Sequence, residues 1–96
     1  MNKIVVIYHY DPAREADRAT LRPEHLAYCT NLQKSGKLQF AGAWIDEPET
    51  PGALLLMNVE TPEEALMFLK HDPNQVHGIV TKIETHAWNP VVGSAN

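Results

Sequence analysis

Two short runs constrain this chain more than anything else in it. Ile4-Val5-Val6-Ile7-Tyr8 and Leu54-Leu55-Leu56-Met57 are apolar at every position. Side chains of a strand alternate between two faces, so a strand built from either run shows apolar surface on both. Such strands belong in the middle of a sheet. The chain has 96 residues, which bounds it to one domain, 1–96, with a core that is marginal without further burial.

The rest of the sequence supplies the partners for those two strands. Asp11-Pro12 ends the first run, because proline cannot continue a ladder. Ala13 to Leu21 reads either as a short helix or as the first turns of a longer one. Pro23 suits a first turn, which places the main helix from about Arg22 to Ser35, with Gly36 as its C-terminal cap. Lys37 to Ile45 alternates, with Leu38, Phe40, Gly42 and Trp44 on one side, and predicts a second strand. Gly42 marks either a bulge or room for a ligand between Phe40 and Trp44. Thr61-Pro62-Glu63-Glu64 carries three agreeing helix-start signals: a threonine cap, a proline at the first position and a glutamate three after the cap. His71-Asp72-Pro73 stops that helix, and Gly78 opens a last strand that closes at Trp88. From about residue 90 to 96 the chain is a tail without periodicity.

The order β-α-β-β-α-β predicts an α+β, ferredoxin-like α/β plait: a four-stranded antiparallel sheet with both helices on one face. Right-handed crossovers give the spatial order 4-1-3-2, which sets the two all-apolar strands in the middle. The other face then exposes about half of Val5, Ile7, Leu54 and Leu56, a patch that a soluble monomer rarely tolerates. A homodimer packed sheet against sheet is the expected cover, with the tail folding over the face as the weaker alternative.

Composition removes several function classes. A net charge of −4 and the lack of a Lys/Arg cluster argue against nucleic acid or an anionic membrane surface. No apolar stretch reaches membrane-spanning length, and the N-terminal run is too short for a secretory signal. The single cysteine, Cys29, reads as a small buried apolar residue and fits a cytoplasmic location. No pair of the five histidines has the tight spacing of zinc motifs, so neither a metal nor another cofactor is expected.

Against that background one histidine stands out. Tyr28, Cys29 and Leu32 follow His25 at i+3, i+4 and i+7, so an imidazole sits where an apolar helix stripe asks for Leu or Ile. It is either a core histidine with satisfied nitrogens or a general acid/base at the mouth of a pocket. The plait topology gathers candidates around it at one edge: Tyr8, Arg22, Trp44, Asp46 and Asp72. Arg22 suits an anionic substrate or an acidic neighbour, Asp46 suits the start of a turn, and Asp72 suits a helix cap, a role compatible with catalysis.

At this point the chain resembles the YciI-like (YCII-related) family, small dimeric α/β-plait proteins similar to muconolactone isomerase. The resemblance spans nearly the whole chain. It rests on Arg22-Pro23-Glu24-His25-Leu26-Ala27-Tyr28, on Gly36-Lys37-Leu38 running into Ala41-Gly42, on Thr61-Pro62-Glu63-Glu64-Ala65, on Asp72-Pro73, and on Gly78 with Trp88. It implies that His25 and Asp72 act as an acid/base pair on a small molecule, such as a lactone or a substituted aromatic. The chain departs from the family after Gly42, where Ala43-Trp44 replaces the usual proline. Two functions are therefore expected to compete: a cofactor-free enzyme, and a non-catalytic dimeric module that binds a small ligand or assists a larger enzyme.

Overall fold

The two all-apolar runs lie side by side at the centre of a four-stranded antiparallel sheet in the computed structural model, which describes residues 2–93. Strand β1 spans Lys3–Tyr10, β2 Leu38–Ala43, β3 Gly52–Asn58 and β4 Val80–Trp88, in the spatial order β2-β3-β1-β4. Val5 faces Leu56 and Ile7 faces Leu54 across the central β1–β3 pair. The architecture is the α+β, ferredoxin-like plait that the order of elements implies.

Alternation sorts the side chains. Ile4, Val6, Tyr8 and Tyr10 of β1 join Ala53, Leu55 and Met57 of β3 in the core, which Cys29, Ala65, Leu69 and Ile79 complete from the helical side. Three helices contribute: α1 (Glu15–Lys34), α2 (Pro62–Leu69) and the single turn α3 (Pro73–Val76). The cap of α2 is as its sequence dictates, with Thr61 Oγ1 accepting from the Glu64 amide at 3.1 Å. At the end of α1, the Lys37 amide reaches the Leu32 carbonyl and the Gly36 amide reaches that of Gln33. Gly36 itself has a φ of 83°. That is a Schellman cap, and the left-handed residue in it favours glycine.

Two local expectations need correction. The main helix does not begin near Arg22. A 3₁₀ turn (Pro12–Arg14) leads into a helix that starts at Glu15 and carries Pro23 in its interior. Proline there forfeits the bond to the Ala19 carbonyl. The surrounding turns compensate: Glu15 and Asp17 lie in the first turn, where acidic groups favour the helix dipole, and Glu15 pairs with Arg18 at i+3. His25 consequently sits mid-helix, away from the positive end.

The second correction is in β2. Its register slips between Leu38, opposite Met57, and Phe40, opposite Leu56. The extra residue, Gln39, is a bulge, so Leu38 and Phe40 point to opposite faces. Leu38 enters the core, whereas Phe40 is exposed on the face away from the helices. The bulge therefore lies at Gln39 and not at Gly42.

The open face carries a shallow apolar groove lined by Val5, Phe40, Leu54, Leu56, Trp88 and, from the tail, Val92. The part of the expected tail at 94–96 lies outside the described residues. Among the described residues, no helix is long and apolar enough to cross a membrane.

Candidate active site

Asp72 begins as a matter of local chain economy. It precedes Pro73 at the head of α3, and its Oδ1 accepts from the Asn74 amide at 3.1 Å, an N-cap. Capping fixes the carboxylate, but its burial is complete, at 0% exposure. A buried carboxylate needs partners for its remaining lone pairs. Two come from distant segments: Tyr8 Oη donates to Oδ2 at 2.9 Å, and His25 Nδ1 meets Oδ1 at 2.7 Å. Tyr8 in turn accepts from Gln75 Nε2 at 2.9 Å. The strand, the long helix and the short helix thus meet on one carboxylate.

His25 sits at the boundary between this network and a cavity of about 370 Å³. Its walls include Arg18, Arg22, His25, Cys29, Gly42 and Asn74. With Nδ1 held by Asp72, Nε2 is the nitrogen left for a ligand. Burial opposes charge on the ring. The hydrogen bond to Asp72, the neighbouring Cys29 and the Asp72 charge more than offset it, and the imidazole is pushed up to about 9. Near neutrality the ring is an imidazolium with a proton to give. Cys29 lies 3.9 Å from Nδ1 and 3.8 Å from Nε2.

Two arginines and Glu15 add to the charge that His25 brings to the cavity wall. Arg18 is neutralised by Glu15, through bonds of 3.2 and 2.8 Å, and its guanidinium lies 4.5 Å over the Tyr10 ring. Arg22 has no ion pair among the described residues, so it is the free cation of the wall. Burial drives the Tyr10 hydroxyl up to about 12, which keeps it a neutral donor.

The sequence-predicted residues divide accordingly. His25 and Asp72 meet directly, Arg22 and Gly42 line the same cavity, and Tyr8 stands behind it, fully buried, as a support for Asp72. Trp44 and Asp46 do not line it. The Trp44 indole packs over Gly52 instead: a Cβ at Gly52 would lie 2.5 Å from Trp44 Nε1 and 2.6 Å from the Tyr8 carbonyl. Only glycine fits there. Asp46 is exposed in the loop after β2.

Three wall residues escaped the sequence reading. Cys29 was legible as the i+4 neighbour of His25, yet its apolar character masked its place in the wall. Arg18 fell in a segment whose helical continuity Pro23 concealed. Asn74 lies two residues beyond Asp72; it is 2% exposed, and its Oδ1 has no hydrogen-bond partner.

Comparison with solved structures supports the fold. The chain superposes on 5-chloro-2-hydroxyhydroquinone dehydrochlorinase (TftG) from Burkholderia phenoliruptrix AC1100, in complex with 2,5-dihydroxybenzoquinone, with a TM-score of 0.75. Identity is 22%, over 91% of this chain and 93% of that one. At3g17210 from Arabidopsis thaliana matches with a TM-score of 0.52 at 12% identity, covering 98% and 99% of the two chains. Rv0793 from Mycobacterium tuberculosis matches at 0.52 and 11%, covering 96% of each. No curated protein matches the sequence. The YCII-related domain matches residues 2–89, nearly the whole chain, and the protein belongs to that family.

Proposed function

We propose that the protein is a cofactor-free enzyme in which His25 transfers a proton to or from a small cyclic substrate bearing carbonyl, lactone or hydroxyl groups. The observation that carries this reading is the 2.7 Å bond between His25 and a fully buried Asp72 at the wall of a cavity. Asp72 fixes the ring orientation and stabilises the imidazolium, and Nε2 hands its proton to an oxygen or carbon of the substrate. Arg22 offers a charge partner for a carboxylate, phenolate or enolate. A cavity of about 370 Å³ lies at the small end of the range for small-molecule sites. The ligand of the dehydrochlorinase, a dihydroxybenzoquinone, has suitable size and functional groups for it.

Assembly is part of the same reading. Two copies are proposed to pack through the groove of Val5, Phe40, Leu54 and Trp88, in a cytoplasmic homodimer that needs neither nucleic acid nor membrane.

Turnover of a panel of lactones, halogenated hydroquinones and hydroxyquinones tests the enzyme. His25→Ala should lower kcat by about 10²–10⁴-fold, the usual contribution of a general acid or base, and Asp72→Asn by less, because the ring remains. A His25→Ala protein that turns over like wild type contradicts the proposal. The competing reading, a ligand-binding module, predicts saturable binding to wild type without conversion, and a change of affinity alone in the variant.

A further inference from the structure

We propose that His25, Cys29 and Asp72 form a binding site for one soft divalent cation, with Zn²⁺ as the type, in place of the proton that His25 and Asp72 share. The three side chains offer a nitrogen, a sulfur and an oxygen, all within 4.8 Å of one another. The cluster contains the His25–Asp72 pair on which the proposed function rests, so a bound cation and the protonated dyad exclude each other.

Distances place the cluster near a metal geometry. Tetrahedral zinc, with bonds of roughly 2.0–2.3 Å, spaces its ligand atoms by about 3.3 Å for nitrogen and oxygen and about 3.5 Å for nitrogen and sulfur. The observed values are 2.7 Å between Nδ1 and Oδ1 and 3.9 Å between Nδ1 and Sγ. Two of the three spacings thus lie within about 0.6 Å of coordinating values, and all three lie within 4.8 Å. His25 and Cys29 are four apart on one helix, the spacing by which two ligands chelate from a single face.

The surroundings also fit. Zn²⁺ with one thiolate, one carboxylate and one neutral imidazole carries no net charge, which suits ligands as buried as Cys29 and Asp72. Asp72 already has the outer-layer bonds that orient a ligating carboxylate, from Tyr8 Oη and the Asn74 amide. His25 and Cys29 also line the cavity, from which a water would complete the coordination. The thiol and the imidazolium each release one proton to solvent on binding.

The chain has a single cysteine, which makes the test specific. Metal-stripped protein is titrated with Co²⁺ and monitored by absorption. The proposal predicts one Co²⁺ per chain, a thiolate-to-cobalt charge-transfer band, and displacement by Zn²⁺. Cys29→Ser should lose the band and weaken binding at least about tenfold. Absence of the band from wild type, or undiminished affinity in Cys29→Ser, overturns the site and moves any bound cation elsewhere, for instance to His71 and His77. The band needs no substrate. Its absence leaves the acid–base proposal standing, and failure of the turnover panel leaves the band untouched.

Discussion

A single carboxylate shows how much one residue can be asked to do. Asp72 caps a helix, accepts from Tyr8 and holds His25, and its burial makes each bond obligatory. The sequence allowed the cap and the catalytic reading side by side, and the structure has no conflict between them, because a carboxylate has room for about four bonds. Removing one partner tests the arrangement. Tyr8→Phe keeps the packing but strips Asp72 Oδ2 and Gln75 Nε2 of the same hydroxyl. Urea unfolding should show a loss of about 1–3 kcal/mol, the cost of a buried polar group left unsatisfied. An unchanged midpoint would mean that water replaces the hydroxyl freely.

At the scale of elements, the features legible in the sequence were those with strong local signals. Gly36, Thr61, Pro62 and Asp72-Pro73 each have one conformational solution at a helix end, and each is found there. The failures come from signals that tertiary context overrides. Pro23 alone argues for a helix start, yet the charged, alanine-containing segment before it is helical and continuous with the turns after it. The alternation of Leu38, Phe40, Gly42 and Trp44 implied one face, but a one-residue bulge has no signature in such a pattern and reverses every side chain beyond it. That is why Phe40 lies on the open face and why Trp44 does not line the cavity. Pro23→Ala should restore the missing helical bond to Ala19 and raise stability by about 1–3 kcal/mol, somewhat under the full interior penalty of proline. A destabilised variant would show that the local distortion is required by the packing of α1 on the sheet.

For the whole molecule, topology does what proximity in sequence cannot. Residues 25 and 72 meet because the plait lays α1 and the α2–α3 segment on one face of the sheet. The same topology leaves Phe40, Leu54 and Trp88 on the other face, where the proposed dimer forms. Light scattering should report twice the chain mass for wild type. Leu54→Asp should split or unfold the assembly, since an unpaired charge in an apolar interface costs several kcal/mol; a wild-type monomer contradicts it. Across the sheet from that face, a buried Asp72 holds His25 as an imidazolium at the cavity wall. A ring pKa raised by folding stabilises the fold fully below about 6.5, the unfolded value, and this contribution fades as pH rises through about 9. Histidine-ring NMR during a pH titration of metal-free protein measures this directly. The His25 resonances should titrate near 9 in wild type and move toward about 6.5 in Asp72→Asn, whereas a midpoint near the ordinary histidine value in both would show that Asp72 does not hold the ring charged.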